Sequence, residues 1–175
     1  MQKTTMMLLS IVLPFLPTAT VLSEEANQSF SVRAADISGH GGGAISLAGG
    51  GAYNLNTEPK FLHAAGSFKC TGTVVDGPLK GCQAGTNGRW HGWQLLTESN
   101  FRCVGQASGE PQDKVFTDDK TVAMQASFYL QGERADQPVT VRMWVSQVDQ
   151  SDYNVGTQNV WVQGVGCGNA ITNFN

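Results

Sequence analysis

From Thr121 to Leu130 apolar and polar side chains alternate, with Val122, Met124, Ala126, Phe128 and Leu130 on one face. Val139 to Ser146 repeats the pattern through Val139, Val141, Met143 and Val145. A two-residue period sends successive side chains to opposite faces of a strand, so both runs predict strands with one buried side. Gln158 to Cys167 predicts a third strand, ahead of a closing segment Ala170-Ile171-Thr172-Asn173-Phe174. Gln131 to Pro138 supplies the turn between the first two, and Asp149 to Thr157 a longer loop before the third. The last third of the chain therefore reads as an antiparallel meander.

Upstream the pattern is less regular. Ser38 to Gly51 holds seven glycines in fourteen residues around Ala44-Ile45-Ser46-Leu47-Ala48, which predicts one short strand with glycine-rich ends. Ser67 to Gly72 and Asn100 to Gly105 share the order Phe, basic, Cys, x, Gly. Each predicts a strand with Phe and Cys on one face and the basic residue on the other. Arg89 to Leu96 between them fits either a strand or a short helical turn, and Ala107 to Asp119 reads as a long exposed loop. About eight short strands in about 150 residues leave a single antiparallel barrel or a sandwich as the ways to bury one face and manage the edges. The fold class is all-β.

The N-terminus carries Lys3, an apolar stretch from Met6 to Leu16, then Pro17-Thr18-Ala19-Thr20. That is the order of a secretory signal peptide, with cleavage expected after Ser23. The stretch is broken by Pro14 and Pro17 and is shorter than the ~20 apolar residues of a spanning helix. The expected organisation is a signal peptide over residues 1–23, an N-terminal lead over 24–37 and one all-β domain over 38–175. Asn27-Gln28-Ser29 is a glycosylation sequon, relevant only in a eukaryotic host.

Cys70, Cys82, Cys103 and Cys167 all lie in the exported part. An even count in an oxidising compartment predicts two disulfides. Three pairings are open. A turn at Asp76 with a left-handed Gly77 would bring Cys70 opposite Cys82, which favours Cys70 with Cys82 and Cys103 with Cys167, although Pro78 would confine that hairpin to a sheet edge. Zinc is disfavoured because no C-x-x-C and no suitably spaced His pair is present.

A net charge of −3 leaves no basic stripe for nucleic acid or anionic lipid. Gly39-His40-Gly41-Gly42-Gly43-Ala44 matches a dinucleotide-loop pattern, but no βαβ unit surrounds it. No cofactor is expected.

Residues 158–168 (Gln-Asn-Val-Trp-Val-Gln-Gly-Val-Gly-Cys-Gly), with Gly66-Ser67-Phe68-Lys69-Cys70 and Gly77-Pro78-Leu79-Lys80-Gly81-Cys82, resemble small secreted bacterial proteins that are uncharacterised. The resemblance implies secretion and a β-rich fold. It carries no activity and no assigned residues.

If the last three strands pair as hairpins, their polar face carries Gln125 and Tyr129, Arg142 and Trp144, and Trp161 and Gln163. Trp144 then lies directly across from Trp161. Flat apolar surface beside directional donors suits sugars and polar ring compounds, so these six are the candidate ligand-binding residues. Two alternatives stand beside this reading. The tryptophans are covered by another sheet or loop and complete the core, or the face lines the cavity of a closed barrel.

No catalytic set is diagnostic. His91, between Trp90 and Trp93, and the carboxylates Glu98, Asp118, Asp119, Asp149 and Asp152 are the chemical candidates, but no G-x-S-x-G or H-E-x-x-H is present. Asp149 and Asp152 fit turn formation better than calcium binding. The function expected is a secreted or periplasmic protein that binds an extracellular small molecule or glycan, with no nucleic acid and no membrane partner after signal cleavage. The alternatives are a small β-barrel enzyme of isomerase or cyclase type and a structural or inhibitory secreted protein.

Overall fold

A computed structural model describes residues 26–39, 41, 43–104, 110–132 and 137–175. The expected signal peptide, half of the Gln131–Pro138 turn and the start of the Ala107–Asp119 segment lie outside them. Ten strands follow in chain order: β1 (Gln28–Gly39), β2 (Ala44–Asn54), β3 (Phe61–Gly72), β4 (Asn87–Leu96), β5 (Glu98–Phe101), β6 (Asp113–Phe116), β7 (Thr121–Leu130), β8 (Val139–Ser146), β9 (Val160–Val162) and β10 (Gly166–Phe174). The described residues contain no helix.

Eight of the strands close into an up-and-down barrel in the order β1-β2-β3-β4-β7-β8-β9-β10, and β10 returns to β1. The barrel-or-sandwich alternative thus resolves to a barrel, which leaves no free edge in the main sheet. β5 and β6 form a separate two-stranded sheet inserted between the neighbours β4 and β7.

The inward faces fill the barrel. Phe30, Tyr53, Phe68, Trp90, Met124, Phe128 and Met143 are all buried in one cluster with smaller aliphatics. A barrel of this strand number is just wide enough to be filled by its own side chains. Trp90 fits because its row of the ladder is glycine on the two preceding strands, Gly66 opposite it and Gly49 opposite Gly66. A Cβ at either glycine would overlap the Trp90 indole. The indole Nε1 donates to the Ala48 carbonyl at 3.2 Å.

Both disulfides are those favoured from the sequence, Cys70–Cys82 and Cys103–Cys167. Cys82 belongs to an irregular segment after β3 whose Val74 and Leu79 are buried in the barrel core, so the segment plugs one barrel end. Gly77 has φ 70° and its N–H donates to the Asp76 carboxylate, as the predicted turn requires. Pro78 sits in that turn and outside any ladder, so it forces no sheet edge.

Several boundaries differ from expectation. The lead assigned to residues 24–37 supplies barrel strand β1 from Gln28 onward, because Phe30, Val32 and Ala34 alternate into the core. Gly49 to Gly51 lie inside β2 and not at its end. Arg89 to Leu96 is a strand. The expected third strand, Gln158 to Cys167, breaks at Gln163–Val165 into the separate strands β9 and β10. The Ala107–Asp119 loop carries β6 and the buried Glu110.

Candidate binding face of the barrel

Trp144 and Trp161 are direct partners across β8 and β9. They point away from the barrel interior, as the alternation required. Neither meets solvent: Trp144 is 0% and Trp161 5% exposed. The segment after β4 folds back over them and buries Phe101, Cys103 and Val115 against Ala123, Trp144, Trp161 and Cys167, which makes a second apolar core outside the barrel. Phe101 packs on both indoles, with ring centroids 4.9 Å and 6.1 Å away. The Trp161 indole N–H donates to the Arg102 carbonyl at 2.9 Å. Glu110 fastens the covering segment, accepting from the Cys103 and Val104 N–H groups at 2.9 Å and 2.7 Å and from the Asn154 amide at 2.8 Å.

The six expected binding residues are therefore separated. Trp144 and Trp161 are core, because an inserted hairpin that no local pattern announces covers them. Gln125, Arg142 and Gln163 form the next outward row: Gln125 pairs with Arg142, whose N–H donates to the Gln163 side chain at 3.1 Å. Tyr129 lies elsewhere, opposite Arg89.

Among the described residues the outward face of β1 to β4 lacks any such cover. Along β3 it presents Phe61, His63, Ala65, Ser67 and Lys69, and along β4 Asn87, Arg89, His91 and Trp93. Three grooves follow one another on it. One of about 590 Å³ is lined by Arg33, Ser46, Ser67, Lys69, Asn87 and Arg89 among others. A second of about 270 Å³ shares Arg89 and adds His91 and Tyr129. A third of about 480 Å³ is lined by Asn27, Thr57, Lys60, Phe61 and Trp93, with Pro59 and Leu62. Trp93 is 48% and Phe61 37% exposed. The β4–β7 register shifts between Gly92 and Gln94, so Trp93 is the extra residue of a bulge, a device that re-aims a side chain. His91 lines the second groove and meets the His63 ring edge to face at 6.3 Å.

Sequence reasoning passed over Trp93, Phe61, Arg33, Lys60, Lys69 and Arg89. The signal was present: once Arg89 to Leu96 is read as a strand with Trp90 inward, alternation puts Trp93 outward.

The other catalytic candidates do not converge. Glu98 pairs with Lys114 at 3.0 Å on the exposed hairpin. Asp118 and Asp149 accept from backbone N–H groups within their turns, as expected for Asp149. Burial, then the neighbouring Glu110 and Asp152 carboxylates, raise the Asp113 pKa, against a lowering hydrogen bond from Ser151. Among the described residues no group of three or more His, Cys, Asp or Glu could hold a metal ion, and no helix is long and apolar enough to cross a membrane.

These features define a closed eight-stranded antiparallel barrel with a disulfide-pinned outer hairpin and one open, grooved face. Two disulfides are consistent with an oxidising extracellular or periplasmic environment. Comparison with protein families, with curated proteins and with solved structures finds no match for this chain.

Proposed function

We propose that this is a secreted protein that binds an extracellular carbohydrate on the outer face of β3 and β4, with Trp93 and Phe61 as the stacking surface. One observation carries the reading: the tryptophan left open to solvent sits on a bulge, beside a second exposed ring and the polar side chains of Asn27, Thr57 and Lys60. Flat rings flanked by donors and acceptors suit the apolar faces and hydroxyls of sugars. The Lys3-led apolar segment and the two disulfides support export. Tyr129 is kept from the expected set, while Trp144 and Trp161 become structural.

A collisional quencher of tryptophan fluorescence tests this, because Trp90, Trp144 and Trp161 are buried and Trp93 is open. Saturable protection of Trp93 by a soluble polysaccharide, weakened in Phe61→Ala, which keeps the reporter, is the expected result. The proposal fails if a panel of neutral and charged polysaccharides leaves quenching unchanged, or if Trp93→Ala binds as well as the natural protein.

A further inference from the structure

The cations of this chain are unevenly placed. Arg33, Lys60, Lys69 and Arg89 line the three grooves, and among the described residues no Asp or Glu does. Seven carboxylates, Glu98, Glu110, Asp113, Asp118, Asp119, Asp149 and Asp152, fall instead in the covering hairpin and the loops that adjoin it. Asp36 on the outer side of β1 and Glu58 beside the third groove are the described carboxylates near this face, so its four cations outnumber them and its sign is opposite to the net −3 of the chain. Among the described residues the one ion pair is Lys114 with Glu98, so Arg33, Lys69 and Arg89 keep their charges unpaired.

Their placement follows from register. Arg33, Ala48, Ser67 and Arg89 occupy one row across β1 to β4, and Ser46, Lys69 and Asn87 align in the row beside it. Small side chains between the arginines leave a floor of hydroxyl and methyl groups. Three strand spacings put the two arginine Cα atoms about 14 Å apart, so each meets a different charge on an extended ligand. The Lys69–Arg89 end continues along the same two strands to Phe61 and Trp93.

We infer that the ligand of this face is an acidic polysaccharide, its anionic groups held by Arg33, Lys69 and Arg89 and its sugar rings by Trp93 and Phe61. This rests on the carbohydrate reading above and names the class of polymer. A carboxylated or sulfated chain supplies spaced anions, and its hydroxyls match the Ser46, Ser67 and Asn87 floor. A nucleic acid would require a run of stacking rings among the cations, where among the described residues only the half-buried Tyr129 and the imidazole of His91 offer an unburied ring on the groove wall beside Arg89.

Matched pairs separate charge from sugar: polygalacturonate against its methyl-esterified form, dextran sulfate against dextran, and oligothymidylate as a non-sugar polyanion. Binding of the full oxidised chain is measured at low and moderate salt. At low salt at least one acidic polymer should bind roughly tenfold or more tightly than its neutral partner, since three exposed charge contacts each contribute a small factor. Salt should erode that preference. Changing Arg33→Gln, Lys69→Gln and Arg89→Gln together should abolish it while leaving the thermal melt and neutral-polymer binding unchanged. Trp93→Ala should weaken both members of a pair. Equal, Trp93-dependent binding of acidic and neutral forms overturns the inference and leaves the carbohydrate reading standing. Tighter binding of oligothymidylate through the same cations overturns both, as does binding of none of the polymers.

Discussion

Trp144 faces Trp161 across the β8–β9 ladder, and Phe101 from the inserted hairpin closes over both indoles. The pair thus holds the hairpin to the outside of the barrel. Either indole replaced by alanine should cost about 3–5 kcal/mol, the usual penalty for deleting a buried aromatic. Denaturant titration should find this loss for both variants, whereas Trp93→Ala should shift the midpoint little.

The two disulfides should differ in what they stabilise. Cys103–Cys167 closes a separation of 64 residues and Cys70–Cys82 one of 12. Loop-closure entropy then assigns about 4 kcal/mol to the first and about 3 kcal/mol to the second. Double serine variants measured by thermal melting check the order. Loss of Cys103–Cys167 should also raise binding of a dye that senses apolar surface, because it frees the cover of the second core.

Gly66 is required by Trp90. A methyl group there would meet both the indole and the Ala48 carbonyl. Gly66→Ala should therefore destabilise the barrel by about 1–3 kcal/mol or more, the range for overpacking a filled core. A chemical-denaturation midpoint equal to that of the natural protein would contradict this packing.

Asp113 gives a signed pH dependence. Burial and its acidic neighbours raise its pKa on folding, so the folded state favours the protonated acid. Its contribution to stability is present below the pKa of the unfolded chain and is lost as pH rises through the raised folded value. Asp113→Asn should accordingly raise the melting temperature at neutral pH and give no gain at pH values below the ordinary carboxylate range. Paired melts across that interval measure the difference.

How much of this could be read from the chain depended on locality. Alternation in Thr121 to Leu130 and Val139 to Ser146 assigned each side chain to a face, and the Asp149 to Thr157 loop set the register that pairs Trp144 with Trp161. The same alternation, carried through Arg89 to Leu96, assigns Trp90 inward and Trp93 outward.

The all-β class, the Cys70–Cys82 pair and the facing of the two tryptophans follow from periods and turns of a few residues, and Cys103–Cys167 follows as the pair that remains. Barrel closure, the three-groove face and the burial of Trp144 and Trp161 follow from contacts between segments far apart in sequence. A two-residue period distinguishes two faces of a strand but says nothing of what will cover either one. Here the inward face is covered by the closing of the sheet and part of the outward face by β5 and β6, and that left Trp93, with Arg33, Lys69 and Arg89, on the side facing solvent.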